Sequence, residues 1–140
     1  MCNNDNESCR QIAEILAIIS VLQQNACNSE TCLDTCDRGF LGCGANSLTC
    51  NTRPVMLYLC NGQPLSMPIE KDSTGDCPEA GCSSVFRVEK LDGCSCTFRV
   101  LARCNGDSSS TFVSTNSFFT MNLNCVCCLR CLSDTYVDCL

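Results

Sequence analysis

Two periodicities divide the chain. Near the N-terminus, apolar residues recur at Ile12, Ile15, Leu16, Ile19 and Leu22, the spacing of one helical face. Just before them, Ser8-Cys9-Arg10-Gln11 fits a capping box, with Ser8 as N-cap and Gln11 at N3. A helix is therefore expected over about residues 9–24. Ile18 and Val21 widen its stripe, so it is expected to be covered on more than one side, by the core or by a neighbouring subunit.

From residue 54 the period changes to two. Pro54-Val-Met-Leu-Tyr-Leu-Cys60 is an apolar run of strand length, and Asn61-Gly62 after it is a strong hairpin signal. That turn pairs Cys60 with Gln63, Tyr58 with Leu65 and Met56 with Met67. Pro64 and Pro68 confine the return strand to an edge or an irregular path. Ser84–Leu91 alternates, with Phe86 and Val88 on one face and Arg87 and Glu89 on the other. Cys96–Cys104 alternates too, with Cys96, Phe98, Val100, Ala102 and Cys104 facing inward. A two-residue Asp-Gly turn would set Phe86 opposite Arg99. A three-residue loop, Asp92–Cys94, pairs Phe86 with Val100 and Val88 with Phe98, and puts Gly93 near the left-handed region. Thr111–Ser114 is a short strand candidate.

The last strand signal, Phe118–Leu132, is the densest in sulfur. Its odd positions, Phe119, Met121, Leu123, Cys125, Cys127, Leu129 and Cys131, are all apolar, and its even positions include Thr120, Asn122, Asn124 and Arg130. Read as one strand with one buried face, it points Cys125, Cys127 and Cys131 inward and Cys128 outward. The pattern predicts a mainly β protein: a small antiparallel β-sandwich or open barrel with one N-terminal amphipathic helix. Residues 1–7 are expected to form a flexible arm, and residues 8–140 a single domain, with a cysteine-rich loop at 26–51, a β region at 54–132 and a C-terminal tail at 133–140.

Composition sharpens this. Eighteen of the 140 residues are cysteine, so a covalent scaffold or a metal sink is the first expectation. The net charge of −6, with nine basic residues in no run, argues against nucleic acid and against an anionic membrane surface. Ile12–Leu22 is too short and interrupted to span a bilayer, so no membrane insertion is expected. The first residues lack the basic and apolar regions of a secretory signal peptide. Synthesis in a reducing cytosol is then hard to square with a disulfide-rich composition. Either the thiols bind zinc, or the product becomes extracellular by another route, such as lysis of the producing cell.

Catalytic chemistry is scarce. There is no histidine, which removes Cys-His and Ser-His nucleophile pairs and mixed Cys/His zinc sites. No glycine-rich phosphate loop occurs. Cys128-Leu-Arg-Cys131 is a CxxC, but it closes a β pattern instead of opening a helix in a βαβ unit. No enzyme activity, cofactor or metal is expected. Four thiolates at Cys125, Cys127, Cys128 and Cys131 point to two faces of a strand and do not readily surround one metal. Cys32-x-x-x-Cys36 is a weak zinc signal, and a cysteine-rich zinc protein is the alternative reading. The remaining chemistry is covalent. Cys2, Cys9, Cys27 and Cys139, on loops and ends, and the outward Cys128 are candidates for bonds to another chain. Cys32, Cys36, Cys96, Cys104, Cys125, Cys127 and Cys131 are candidates for core thiols or intramolecular bonds. Complete internal pairing is the plainer alternative.

Several motifs resemble the CotY, CotZ and ExsY group of cysteine-rich spore outer-coat and exosporium proteins. They are Ser8-Cys9 opening a helix, Cys32-x-x-x-Cys36, Gly39-Phe-Leu-Gly42, Asn51-Thr-Arg-Pro54 before a strand, Val85-Phe-Arg-Val-Glu89, Phe98-Arg-Val-Leu101, Gly106-Asp-Ser-Ser109 and Asn122-Leu-Asn-Cys-Val-Cys-Cys-Leu-Arg-Cys-Leu132. The resemblance covers the chain from about Ser8 to Leu132. It implies a structural subunit made in the mother cell, without a signal peptide, that reaches the spore surface. Such subunits close into cyclic homo-oligomers, hexamers by resemblance, which tile into a disulfide-hardened two-dimensional lattice with other coat or exosporium proteins. By this match Cys9, Cys32, Cys36, Cys125, Cys127 and Cys131 are of the family type, and Cys82, Cys94 and Cys96 fit within about a residue. Cys43, Cys50, Cys60, Cys104, Cys128 and Cys139 are additional, which implies a denser network.

Overall fold

The computed structural model describes residues 9–24, 50–73, 81–103, 112–137 and 140. Its elements in chain order are α1 (Arg10–Gln24), β1 (Val55–Leu59), β2 (Met67–Pro68), β3 (Cys82–Ser83), β4 (Val85–Asp92), β5 (Ser95–Arg103), β6 (Phe112–Asn122), a 3-10 turn (Leu123–Cys125) and β7 (Val126–Cys131). Five strands form one sheet in the order β6-β5-β4-β1-β7, and β2 and β3 form a separate two-stranded sheet. Every strand pairing among the described residues is antiparallel. The protein is thus an antiparallel β structure with one N-terminal helix, as its patterning predicts, and the barrel is not closed.

The sheet is curled. Its outermost strands, β6 and β7, lie four strand positions apart, about 19 Å on a flat sheet at ~4.8 Å per step. They are joined by the three residues of the 3-10 turn, which rises only about 6 Å at ~2 Å per residue. So the sheet must wrap until these two strands approach at one corner. Its concave face encloses Val55, Leu57, Phe86, Val88, Cys96, Phe98, Val100, Leu123 and Val126. The rings of Phe86, Phe98 and Phe119 pack together inside, at 4.8–6.2 Å between centroids.

Helix α1 closes that face. Leu16 and Ile19 are fully buried, while Ile12 and Ile15 pack against the core from its margin. The backbone carbonyl of Cys9 accepts the first intrahelical hydrogen bond, from Ala13 N at 2.8 Å, so Cys9 stands at the N-cap position. Ser8, expected there, lies outside the described residues. At the other end buried Gln23 donates to the Val88 carbonyl at 2.8 Å and accepts from Arg53 N at 3.1 Å. One side chain thereby ties the helix to the backbone of two segments. Ile18 and Val21, which widen the stripe, are exposed.

The β4–β5 register sets Phe86 opposite Val100 and Val88 opposite Phe98, as the alternation requires, but by a different device. The turn is short: Asp92 pairs with Ser95, leaving Gly93 and Cys94 between them. Gly93 has φ +60°, a conformation open to glycine. A bulge between Val88 and Lys90 then restores the register. The bulged residue, Glu89, answers an electrostatic problem. Arg87 and Arg99 face each other across the pairing, where like charges repel. The Glu89 carboxylate lies 2.7 Å from the Arg87 guanidinium and 3.2 Å from that of Arg99.

Two strand expectations need correction. After β1, Gly62 N donates to the Leu59 carbonyl at 2.9 Å and Gly62 has φ +84°. The tight turn therefore starts one residue early, and Tyr58 bridges Pro64 instead of Leu65. The two prolines leave this return segment with little ladder, and Met67 pairs with Ser83, not Met56. Phe118–Leu132 is also not one strand. Its first part belongs to β6, which runs unbroken from Phe112. At Asn122 the side chain accepts a hydrogen bond from Asn124 N at 3.0 Å, an Asx turn that breaks the ladder. The chain resumes as β7 beside β1.

The segment after β7 is built in. Thr52 and Thr135 form a β-bridge, and the Asn51 amide exchanges two hydrogen bonds with the Val137 backbone, at 2.9 and 2.8 Å. Arg53, 1% exposed, forms a bidentate pair with Asp134, at 2.8 and 3.0 Å. Val137 packs with Val85, Leu101 and Phe112 in a second, smaller cluster.

Candidate functional site

Sulfur chemistry in this fold sorts by depth. Cys9 is fully buried and bonded to Cys94, closing a loop with a sequence separation of 85. This corrects the expectation that Cys9 serves a neighbouring chain. The N-cap position places it under the β4–β5 turn, where no second molecule reaches its sulfur. Cys94 therefore holds two things together. Its side chain anchors α1, and its carbonyl accepts from Leu123 N at 2.7 Å, which pins the 3-10 turn.

Cys96 is buried, 1% exposed, with a free thiol. Burial without a nearby cation pushes its pKa from 9.0 to about 12. It is accordingly a small core residue, not a nucleophile. The sign of the linkage follows. The folded protein keeps this thiol neutral while the unfolded chain releases the proton. Stability is therefore whole below about pH 9 and falls as pH rises from there toward 12. Treatment of the native protein with iodoacetamide is expected to modify Cys128 and spare Cys96 until denaturant is added. Equal labelling of both in the native state would contradict this burial.

The Cys125–Cys131 stretch departs most from its period. Cys125 and Cys131 are half-buried and disulfide-bonded. Cys127 is exposed, not inward, and is bonded to Cys60. Two irregularities move it. The 3-10 turn shifts the alternation, so Val126 takes the inward place. A bulge in the β1–β7 pairing then sets Leu59 opposite Val126 and Tyr58 opposite Cys128, leaving Cys127 as the extra residue. From there it reaches Cys60, at the exposed turn after β1. Neither Cys60 nor the bulge is marked by periodicity. Cys128 is exposed with a free thiol. Cys82 is also disulfide-bonded. Cys2, Cys27, Cys32, Cys36, Cys104 and Cys139 lie outside the described residues.

Among the described residues no three Cys, Asp or Glu side chains gather as a metal would require. The four sulfurs weighed as a metal knuckle include three in disulfides, and a disulfide sulfur is not a thiolate ligand. A cavity of about 240 Å³ is lined by Arg103, Phe112, Leu132, Ser133, Asp134 and Thr135. Its carboxylate is already held by Arg53, and its cation, Arg103, lies 5.3 Å from the Phe112 ring centroid. Among the described residues no helix is long and apolar enough to cross a membrane.

The family model of spore coat protein Z matches residues 1–112, well over half of the chain. That stretch takes in α1, β1 to β5 and the first residue of β6, while the 3-10 turn and β7 follow it. No curated protein and no solved structure matches. The chain belongs to the spore coat protein Z family, with a structural role in the coat at the spore surface.

Proposed function

We propose that this chain is a self-assembling, non-enzymatic subunit of a spore surface layer, either the exosporium basal layer or the outer crust. Copies close into rings, hexamers by resemblance, and the rings tile into a two-dimensional lattice with other coat or exosporium proteins. A rotation that closes gives a ring, and contacts between rings give the sheet. Interchain disulfides then harden it. One observation carries this reading. The described fold is stapled internally by Cys9–Cys94 and Cys60–Cys127, yet it leaves an exposed thiol, Cys128, on an edge strand of the sheet. Cys2, Cys27 and Cys139 are proposed as further contributors from outside the described residues. Cys9 is not.

The test is a non-reducing gel of oxidised full-length protein. The expected result is a set of large species that resist detergent and heat, collapse to monomer with reductant, and diminish in Cys128→Ser. A clean monomer band without reductant would end this reading.

A further inference from the structure

Three exposed cysteines lie at one corner of the sheet, two of them adjacent in sequence. The Cys60–Cys127 bond joins the turn after β1 to the bulge of β7, and both of its residues are exposed. The next residue, Cys128, carries an exposed free thiol. A thiolate beside a disulfide open to solvent is the reactant pair of thiol–disulfide exchange, whose rate depends on access to the attacked sulfur. Cys9 and Cys96 are buried and shielded from that chemistry, and Cys94, bonded to Cys9, is half-buried.

Cys128 is poorly placed to attack its own neighbour. A Cys127–Cys128 bond would need Cα atoms only about 3.8 Å apart, shorter than the usual disulfide range of roughly 4.4–6.8 Å. Attack on its own Cys60 would only move the free thiol to Cys127 and leave one exposed thiol as before. The productive acceptor is the same corner of a second molecule.

We infer that the Cys60, Cys127 and Cys128 corner is an exchange site that links copies of this chain without an external oxidant. The Cys128 thiolate of one copy attacks one sulfur of the Cys60–Cys127 bond in another. A new sulfur–sulfur bond joins the copies, and the old one breaks. The displaced sulfur leaves as a thiolate and takes up the proton that Cys128 gave up. One disulfide is lost for each one formed, so nothing is oxidised or reduced overall. Each link also exposes a new thiol, on Cys60 or Cys127, that can attack a third copy. A sheet can then cross-link progressively from disulfides already stored in its subunits. This rests on the layer proposed above and adds the route by which it is sealed.

Isotopically light and heavy full-length protein, each already oxidised, are mixed without oxygen and with a chelator. The mixture is then quenched by alkylation and digested without reductant. The expected products are light–heavy peptide pairs joining Cys128 to Cys60 or Cys127, with the total free-thiol count unchanged. Cys128→Ser should abolish them. Pairs that form only in air, with two thiols lost per bond, would overturn exchange while leaving a disulfide-linked layer standing. No light–heavy pairs through any cysteine under either condition would overturn both. The wild-type mass spectrum decides the matter even if a variant fails to fold.

Discussion

Replacing Asp134 with alanine is expected to lower stability by about 3–5 kcal/mol, the cost of breaking a buried ion pair by removing one partner. Asp134 and Arg53 side chains are each 1% exposed, and the carboxylate is bidentate to the guanidinium. Without it, Arg53 loses the anion that offsets its desolvation. Arg53 cannot escape to water easily, because its own N–H donates to Gln23, which is bonded to Val88. The damage should spread. The bridge of Thr52 to Thr135 and the Asn51 pairing with Val137 flank the ion pair, so the segment after β7 loosens and uncovers Val85 and Leu101. Against a total stability of roughly 5–15 kcal/mol this is severe. Denaturant titration of the oxidised protein measures it. A paired replacement, Arg53→Met with Asp134→Leu, should cost less than either charge deletion alone, because no lone charge remains. A loss below about 1 kcal/mol for Asp134→Ala would show that the pair is solvated.

Removing the Cys9–Cys94 bond by double replacement with serine is expected to cost about 2–5 kcal/mol. With a sequence separation of 85, the chain-entropy account gives roughly 4–5 kcal/mol, and strain or residual structure in the unfolded chain lowers such values. The location adds a specific signature. The bond is the covalent tie between α1 and the β4–β5 turn, and that turn also holds Leu123. Hydrogen exchange should therefore quicken in α1 and in Leu123–Cys125 before the centre of the sheet. Uniform acceleration across all strands would contradict this local role.

The sequence reads well where burial is one-sided and unbroken. The α1 face and the pairing of Phe86 with Val100 and Val88 with Phe98 follow from apolar spacing alone, because a register slip would turn those side chains to solvent. It reads poorly where the backbone changes phase. Period-two alternation runs straight through Asn122, Leu123 and Asn124, yet the Asn122 side chain stops the strand there. The two asparagines were the available signal. Once the phase shifts, every inward assignment beyond it becomes unsafe, and Cys127 moves to the surface. The bulge at Glu89 is invisible for the same reason, although the facing arginines require a nearby carboxylate. Disulfide partners were not readable at all, since 18 cysteines admit more than roughly ten million pairings. The Arg53–Asp134 pair joins residues 81 positions apart, beyond the reach of any local pattern.

Family membership gives the chain a structural place in the spore coat, and the fold leaves one described exposed thiol on an edge strand. Self-assembly into a layer is the claim on which the functional account stands. Electron microscopy of the purified full-length protein tests it most directly. The expected result is ordered two-dimensional sheets that persist in detergent and disperse or fragment when reductant is added. Monodisperse single molecules under oxidising conditions, at every protein concentration tried, would contradict it.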